Sequence, residues 1–337
     1  MLNLAFQIRN ERESPFFKLN FSALRFFLSD FFVGIYYYKG MSLIKSIVIS
    51  GATHGNEKTG VELVRKWQSY PEIFEKVCPS ANVQLVLANP LAMRLNRRYV
   101  NQDLNRSFSE NSLSIQGESL CYEINRAKEL NEMFGKKGKG TKTDLLIDVH
   151  NTTSNMGACL ILSEKNPFTT MASAEIVKEF PETRIYFQPE ERLASPYFGT
   201  IAKADICLEV GPQAHGTLLA SLFELTEKIV LRYLELVEDY NKGLFEKRET
   251  KLVEVFTQWK DLDYPRDASG NICAMIHPDR QGADFKELKE GDKIFKTFDG
   301  QDILYHGETV FPVFVNEAAY YEKKIAMSLT KRTMENW

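Results

Sequence analysis

Short apolar runs alternate with amphipathic stretches along most of the chain. Several of the runs are apolar at every position, which is typical of strands buried on both faces. The sequence predicts strands at Ile44–Ser50, Val83–Ala88, Leu145–Val149, Ala158–Leu162, Arg184–Gln188 and Ile206–Val210. Helical spacing of apolar positions predicts helices at Thr59–Ser69, Glu118–Phe134, Phe168–Glu179 and Leu218–Leu244. This alternation favours an α/β fold whose sheet has substantial parallel character.

The pattern changes after Leu244. Segments containing Thr, Val and Phe are there separated by turn signals such as DYPRDASGN and KEGD, which favours a smaller β-rich module. We therefore expect an α/β domain over residues 41–244, with a mixed sheet flanked by helices. A β-rich domain is expected over residues 245–337.

Residues 1–40 precede the patterned part of the chain. Their apolar stretch, Phe21 to Tyr38, is interrupted by Arg25 and Asp30, so no uncharged run reaches the roughly 20 residues that a membrane-spanning helix needs. A secretory signal also fits poorly, because acids and bases mix ahead of the stretch and no small-residue cleavage site follows it. We expect an N-terminal extension outside the fold, consistent with upstream coding sequence ahead of Met41.

Length and charge limit the possible partners. A chain of 337 residues with 44% apolar content can bury a sizeable core, and its formal net charge of −3 does not favour polyanion binding. The five cysteines are scattered without a CxxC pair, as in reduced cytosolic proteins. We expect a cytoplasmic protein that acts on a small molecule, with neither nucleic acid nor membrane as a partner.

Candidate metal ligands lie where predicted strands end. His54 and Glu57 follow the first strand in GATHGNEKTG, and His150 directly follows the third in LLIDVHN. In an open α/β sheet ligands bind beyond the carboxyl ends of the strands, and imidazole and carboxylate are usual zinc ligands. A polar helix cap with a surface Glu is the alternative for the HxxE spacing alone. Three protein ligands would leave a fourth position for water, as in catalytic zinc sites.

Two further carboxylates occur close to these strand ends. Asp148 lies on the same side of its strand as His150 and can accept a proton from a ligand imidazole. Glu209 interrupts an otherwise apolar strand, where a buried carboxylate is costly unless it is paired or lies near a metal. A structural ion pair is the alternative interpretation of Glu209.

Six sequence blocks carry a resemblance to a known family. They are GATHGNEKTG, NRRYVNQDLNRSF, DVHNTTSNMG, LEVGPQAHG, the DYPRD…HP region and FVNEAAYYEKK. From about Ile44 to Lys324 the chain resembles the aspartoacylase/aminoacylase-3 family. The resemblance implies a zinc carboxypeptidase-like catalytic domain followed by a β-rich domain that covers the active-site mouth. It also implies one Zn²⁺ per subunit and a homodimer.

The resemblance also implies a role for each matching residue. His54, Glu57 and His150 would hold the zinc ion, and Glu209 would act as the catalytic acid and base. Arg98 would stabilise the oxyanion of the tetrahedral intermediate. The implied substrate-binding residues are Arg98, Asn105, Arg106, Glu209, Tyr320 and Lys324.

The reaction implied by the resemblance is hydrolysis of an N-acyl amino acid, with N-acetyl-L-aspartate as the first substrate to expect. Deacetylation of N-acetyl aromatic or other amino acids, and removal of succinyl groups, are the alternatives. A non-catalytic binding protein on the same fold is a third hypothesis. It is disfavoured because a scaffold gains nothing from a costly Glu209.

One departure from the family affects the expected substrate. Aspartoacylases hold the substrate carboxylate with an Arg and a Tyr whose positions correspond to Gly199 and Ser195 here. Neither residue can replace a guanidinium or a phenol. Arg192 and Tyr197, in the same loop, are candidates to compensate. The remaining histidines, His215, His277 and His306, are interpreted as structural.

Overall fold

A nine-stranded mixed sheet forms the centre of the computed structural model, which describes residues 42–117, 119–138, 140–245 and 250–337. Its strands are β1 (Ser46–Gly51), β2 (Asn82–Leu87), β3 (Leu145–Asn151), β4 (Gly157–Leu162), β5 (Thr183–Phe187), β6 (Ala204–Gly211), β7 (Leu252–Leu262), β11 (Phe311–Val313) and β12 (Met327–Asn336). The strand order is β11-β12-β7-β5-β4-β6-β3-β1-β2. A second sheet, of order β10-β9-β8, contains β8 (Ala274–Ile276), β9 (Lys293–Thr297) and β10 (Asp302–Leu304).

All six predicted strands are confirmed, as are the four predicted helices, with shifts of up to four residues at their ends. These helices are α1 (Lys58–Ser69), α5 (Tyr122–Phe134), α6 (Pro167–Glu179) and α7 (Ala220–Asn241). Three helices of five or six residues were not predicted, because an apolar repeat of 3.6 residues cannot be recognised over so few positions. They are α2 (Glu72–Val77), α3 (Pro90–Leu95) and α4 (Glu110–Ser114).

The strand pairing around β6 brings chemically active positions together. β3 runs parallel to β6, with His150 opposite Glu209 and Asp148 opposite Cys207. On its other side β6 pairs antiparallel with β4, where Cys159 lies opposite Glu209. The sheet is therefore mixed, and its change of direction falls beside Glu209.

Helices cover both faces of the parallel part of the sheet. Ala127 and Leu130 of α5 pack in one buried cluster with Val48 of β1 and Leu146 of β3. Alternation along β1 directs Ile47 and Ile49 to the opposite face, and both are fully buried. Helix α1 contacts β1, β2 and β3. The predicted α/β architecture is thus confirmed.

The C-terminal part of the chain is β-rich as predicted, but it is not a separate sheet throughout. β7 pairs with β5 in parallel, and β12 and β11 extend the same sheet in antiparallel fashion. Without β7, the edge of β5 would expose unpaired backbone groups. Only β8, β9 and β10 form the smaller sheet, which contributes to a buried cluster with Met327 and Leu329.

Some of the expectations concern parts of the chain that the structure does not describe. The predicted N-terminal extension, residues 1–40, lies outside the described residues, as does Glu118 at the start of one predicted helix. The boundary between residues 244 and 245 stays a prediction. In the described part of the chain, no helix combines the length and the apolar character needed to cross a bilayer.

The end of β1 and the first turn of α1 approach each other unusually closely. A Cβ atom on Gly51 would lie 2.2 Å from the carbonyl oxygen of Gly60. A Cβ atom on Gly60 would lie 2.8 Å from the carbonyl oxygen of Val149 in β3. Only glycine permits such contacts between backbones. The first turn of α1 is therefore held directly over the ends of β1 and β3.

We expect Gly51→Ala to lower the free energy of unfolding by about 3 kcal/mol or more, because the new methyl group meets backbone that cannot turn aside. Urea unfolding of the purified protein measures this change. Gly270→Ala is the control, since Gly270 has a positive φ of 85° but open space around it. It should cost only about 1 kcal/mol. Equal losses in the two variants would contradict the close-packing argument.

Candidate active site and metal centre

Three side chains converge at the carboxyl ends of β1 and β3. Nδ1 of His54 lies 2.7 Å from Oε1 of Glu57, and Nδ1 of His150 lies 2.9 Å from Oε2 of the same carboxylate. The two Nδ1 atoms are 3.1 Å apart. All three side chains are buried. The structure thus brings together the three ligands predicted from the sequence.

Local backbone contacts explain this convergence. Ala52 has a positive φ of 61°, which turns the chain sharply after β1. Glu57 occupies the N-cap position of α1, but its side chain does not cap the helix. Oδ1 of Asn151 instead accepts a hydrogen bond from the backbone N–H of Thr59, at 2.9 Å, and the N–H of Asn151 donates to Glu57 Oε2 at 3.0 Å. A residue of β3 therefore takes over the capping and leaves Glu57 free for the site.

A carboxylate holds the outer nitrogen of each imidazole. Nε2 of His150 lies 2.8 Å from Oδ2 of Asp148, as expected from the sequence. Nε2 of His54 lies 2.9 Å from Oδ1 of Asp103, which was not predicted. Both carboxylates favour a proton on Nε2, which leaves Nδ1 of each ring, on the side of Glu57, as the nitrogen available to a metal ion. This arrangement is typical of histidines that bind a metal.

The electrostatics of the cluster favour a positive charge at its centre. Burial alone would lower the pKa of His150, but Asp148 and Glu57 outweigh it and hold that pKa well above the usual value. Burial would raise the pKa of Glu57, but His54 and His150 outweigh it and hold that pKa well below its usual range. Burial would also raise the pKa of Asp103, but His54 outweighs it and holds that pKa well below its usual range. The carboxylates are therefore ionised and poised to neutralise a cation.

The donor set suits a metal ion. One ligand atom from each of His54, Glu57 and His150 lies within 4.8 Å of the others, and no second group of this kind occurs among the described residues. Two imidazole nitrogens and one carboxylate oxygen match the three protein ligands of catalytic zinc sites. The cluster can therefore hold a metal ion and leave a coordination position open.

Glu209 and Arg98 lie beside this cluster. Glu209 is 9% exposed, lines the same cavity as His54 and His150, and receives no hydrogen bond from the described residues. Burial raises its pKa to about 8 against the opposing effect of His150. The guanidinium of Arg98 donates to Glu57 Oε1 at 3.0 Å and to Asp103 Oδ2 at 3.2 Å. Both predicted catalytic residues are thus within the site.

Besides Arg98 and Glu209, three further predicted substrate-binding residues line the cavity. They are Asn105, Arg106 and Tyr320. The guanidinium of Arg106 stacks 4.3 Å from the ring centre of Tyr197, and no described carboxylate forms an ion pair with it. Oδ1 of Asn105 accepts the backbone N–H of Phe198 at 2.9 Å, which ties this wall to the loop before β6. Arg106 is therefore a partly buried cation that forms no ion pair with a described carboxylate.

Lys324 does not lie with the other predicted residues. Its φ of 58° ends the 3₁₀-helix Ala318–Lys323 in a left-handed turn, and Lys324 is not among the residues that line the cavity. Lys323 is directed inward instead, with Nζ 3.9 Å from Oδ2 of Asp103 and 5.2 Å from the ring centre of Tyr320. Burial, with Arg106 adding to it, lowers the pKa of Lys323 to about 8. Neither lysine lines the cavity, and the substrate-binding role of Lys324 stays a prediction.

The loop that departs from the family pattern does not restore a cation to the cavity. Arg192 forms an ion pair with Asp205 and lies 3.2 Å from Oε1 of Glu164, so its charge is already engaged. Ser195 is buried and does not line the cavity, whereas Gly199 does. The hydroxyl of Tyr197 accepts a hydrogen bond from Gln188 at 2.8 Å. Neither expected replacement therefore supplies a positive charge at the position of Gly199.

A carboxylate from the C-terminal part of the chain accepts several hydrogen bonds from the loop that follows β3. Oε2 of Glu317 accepts the backbone N–H groups of Thr153 and Ser154 at 2.8 and 3.2 Å, and their hydroxyls at 3.0 and 3.2 Å. Nε2 of His215 lies 3.7 Å from Oε1 of Glu317. Sequence reasoning missed Glu317, although it lies three residues before Tyr320. It fixes the segment that delivers Tyr320 to the cavity.

The other two histidines lie apart from the site. His277 has Asp279 and Asp302 as its ion-pair partners, and the exposed His306 has Glu290. Neither lines the cavity that contains the metal cluster. Their structural interpretation stays a prediction.

Two family models and several known proteins match this chain. The succinylglutamate desuccinylase/aspartoacylase catalytic domain matches residues 43–237, and the AstE/AspA barrel-sandwich hybrid domain matches residues 251–332. A probable aspartoacylase of Trichodesmium erythraeum is 42% identical over 295 residues, which cover 87% of this chain and 98% of the relative. A mouse N-acyl-aromatic-L-amino acid amidohydrolase (carboxylate-forming) is 38% identical over 291 residues, or 83% and 88% of the two chains.

The crystal structure of murine aminoacylase 3 superposes with a TM-score of 0.83 at 35% identity, covering 88% of this chain and 98% of that one. The class of protein is defined by two domains in succession: a catalytic α/β domain, which here contains a buried His-Glu-His cluster, and a barrel-sandwich hybrid domain. The chain belongs to the succinylglutamate desuccinylase/aspartoacylase family.

Replacing Glu317 should destabilise the protein substantially. Glu317→Ala leaves two backbone N–H groups and buried hydroxyls without an acceptor, so we expect the free energy of unfolding to fall by about 3 kcal/mol. Chemical denaturation measures the change. The control is Glu290→Ala, which removes an exposed carboxylate that also accepts a backbone N–H group, from Gly307. That variant should lose less than about 0.5 kcal/mol, and similar losses in both would contradict the bracing role of Glu317.

Proposed function

We propose that the protein is a zinc-dependent amidohydrolase that cleaves an N-acyl amino acid into a carboxylate and the free amino acid. The observation that carries this proposal is the convergence of His54, Glu57 and His150 in the cavity that also holds Glu209 and Arg98. The names of the relatives, aspartoacylase and N-acyl-aromatic-L-amino acid amidohydrolase, support the same reaction class. One zinc ion per chain is the proposed cofactor.

The proposed chemistry assigns a separate task to each side chain. His54, Glu57 and His150 would hold the zinc ion, which would supply a Lewis acid and lower the pKa of water to about 7. Glu209 accepts the proton of the attacking water and donates it to the departing amine. Arg98 lies beside Glu57 and donates hydrogen bonds to the oxyanion that forms on the scissile carbonyl.

The cavity supplies a binding partner for the α-carboxylate of such a substrate. Arg106 has no partner carboxylate among the described residues, and a guanidinium binds a carboxylate in bidentate fashion. Asn105 and Tyr320 line the same wall. Lys323, with Nζ 3.9 Å from Oδ2 of Asp103, adds a positive charge close to the metal cluster, and Lys324 remains a predicted substrate-binding residue. The substrate would therefore be held between the metal cluster and Arg106.

The preferred amino acid is a separate question. N-acetyl-L-aspartate is the substrate first expected from the family, but the wall that carries the family Arg has Gly199 here, and Arg192 does not replace it. This observation favours the second candidate, a deacylase of amino acids whose side chains are not acidic.

We further propose that the protein is a homodimer in the cytoplasm. Light scattering measures the number of subunits.

Activity should depend on zinc. We expect acetate release from a panel of N-acetyl amino acids to be abolished by a chelator and restored by one equivalent of Zn²⁺ per chain, because His54, Glu57 and His150 form one site. Mg²⁺ should not restore activity, since it prefers six oxygen ligands. The measurement combines metal analysis with acetate assays. Full activity in zinc-free protein would overturn the proposed function.

Loss of Arg98 should affect the chemical step. Arg98→Ala should lower kcat by about 10²- to 10³-fold with a smaller change in KM, since one oxyanion donor is worth about 3 to 4 kcal/mol. Steady-state kinetics with the best substrate of the panel measure both constants. Arg97→Ala, at an exposed position next to it, is the matched control and should leave kcat unchanged. An unaltered kcat in Arg98→Ala would remove this residue from catalysis.

A further inference from the structure

One end of the cavity is formed by the start of β6. Asp205, Cys207 and Glu209 alternate along this strand, so their side chains point to the same face, and all three line the cavity. Four residues of extended chain span about 13 Å, which places Asp205 at the end of the cavity remote from Glu209 and the metal cluster. A carboxylate therefore lies where a long substrate side chain would end.

Gly199 creates the space into which this carboxylate points. A Cβ atom on Gly199 would lie 2.2 Å from Oδ2 of Asp205 and 2.8 Å from its Cβ. Oδ1 of Asp205 is engaged by Arg192, whereas Oδ2 receives no hydrogen bond within the described part of the chain. The side chain of Asp205 is 10% exposed. Asp205 thus presents one unoccupied acceptor oxygen at the position from which aspartoacylases extend an arginine.

Arg192, the cation that contacts Asp205, is engaged by several partners. Arg192 faces two carboxylates, Asp205 and Glu164, and its other amino group donates to the carbonyl oxygen of Gly199 at 3.2 Å. The nearby Lys137 does not line the cavity. Its Nζ donates to the carbonyl oxygens of Phe108 and Ser195. Glu190, which does line the cavity, adds a further negative charge. Arg192, the cation that contacts Asp205 and Gly199, is therefore already engaged, whereas the unpaired Arg106 stacks on Tyr197.

We infer, given the proposed function, that this subsite selects N-acyl amino acids whose long side chain ends in an N–H donor, with Oδ2 of Asp205 as the acceptor. Glutamine, lysine and arginine derivatives have such side chains. A substrate carboxylate at the same place would be repelled by Asp205, and aspartate is in addition too short to reach it. Gly199 and Asp205 together are the specificity determinants of this chain.

The selection can be measured by substrate comparison. We would determine kcat/KM of the zinc-loaded full-length protein for the Nα-acetyl derivatives of lysine, glutamine, norleucine, glutamate and aspartate. Norleucine matches the length of the lysine side chain but lacks the donor. We expect lysine or glutamine to exceed norleucine by about tenfold to hundredfold, the size of one charge-assisted hydrogen bond, and both acidic substrates to be poorest. Preference for aspartate or glutamate, or for norleucine, would overturn the inference.

Variants assign the preference to specific residues. Asp205→Asn should reduce the ratio of kcat/KM for lysine over norleucine at least tenfold. Glu164→Gln is the matched control, because it removes the other partner of Arg192 outside the cavity, and it should leave that ratio unchanged. The double variant Gly199→Arg/Asp205→Gly removes the clash and places a cation at this end, so it should raise the ratio of glutamate over lysine. An unchanged lysine ratio in folded, zinc-loaded Asp205→Asn would overturn the role of Asp205.

The acyl group provides an independent check. The same comparison with N-formyl and N-succinyl derivatives should keep the order of amino acids, because the subsite is assigned to the amino acid side chain. An order that changes with the acyl group would show that Asp205 faces the acyl portion and would overturn the inference. Failure of the proposed function is distinguishable, since no acylated amino acid, norleucine included, would then be hydrolysed with zinc present.

Discussion

The close contact between the first turn of α1 and the ends of β1 and β3 is the constraint on which the site depends. Gly51 and Gly60 allow backbones to approach to a distance that a methyl group would prevent. Asn151 then caps the helix from β3, which frees the carboxylate of Glu57 to face the two imidazoles. Metal ligation tolerates errors of only a few tenths of an ångström, so a looser helix would separate ligands that come from different strands.

A second constraint is the balance of charge in a buried place. Two imidazoles, one guanidinium and three carboxylates, those of Glu57, Asp103 and Asp148, contact one another around the cluster. Each of these carboxylates contacts at least one imidazole or the guanidinium of Arg98, which offsets the cost of its burial. Glu209 is the exception, and its raised pKa reflects that isolation. The least compensated acid is thus the one proposed to exchange protons with substrate.

Local sequence patterns were sufficient for six strands of the main sheet, for the four long helices and for the clustering of His54, Glu57 and His150, because strand ends in an α/β fold converge on one edge. They were insufficient for Asp103, which reaches His54 from a loop 49 residues away without a periodic signal. Lys323 ends a short 3₁₀-helix and Lys324 follows it in a left-handed conformation, a difference that no periodicity of the sequence shows. The entry of β7 into the main sheet was also missed, since strand pairing over long separations leaves no local trace.

Glu317 limits how the catalytic part of such a chain can be combined with the hybrid domain of another protein. It accepts hydrogen bonds from the turn that directly follows His150 and Asn151, although it belongs to the C-terminal segment. Any chimera that joins this catalytic part to a foreign hybrid domain must therefore import an acceptor at the same point, or leave the turn after β3 unsupported. The two parts therefore depend on each other at this contact and are not freely exchangeable.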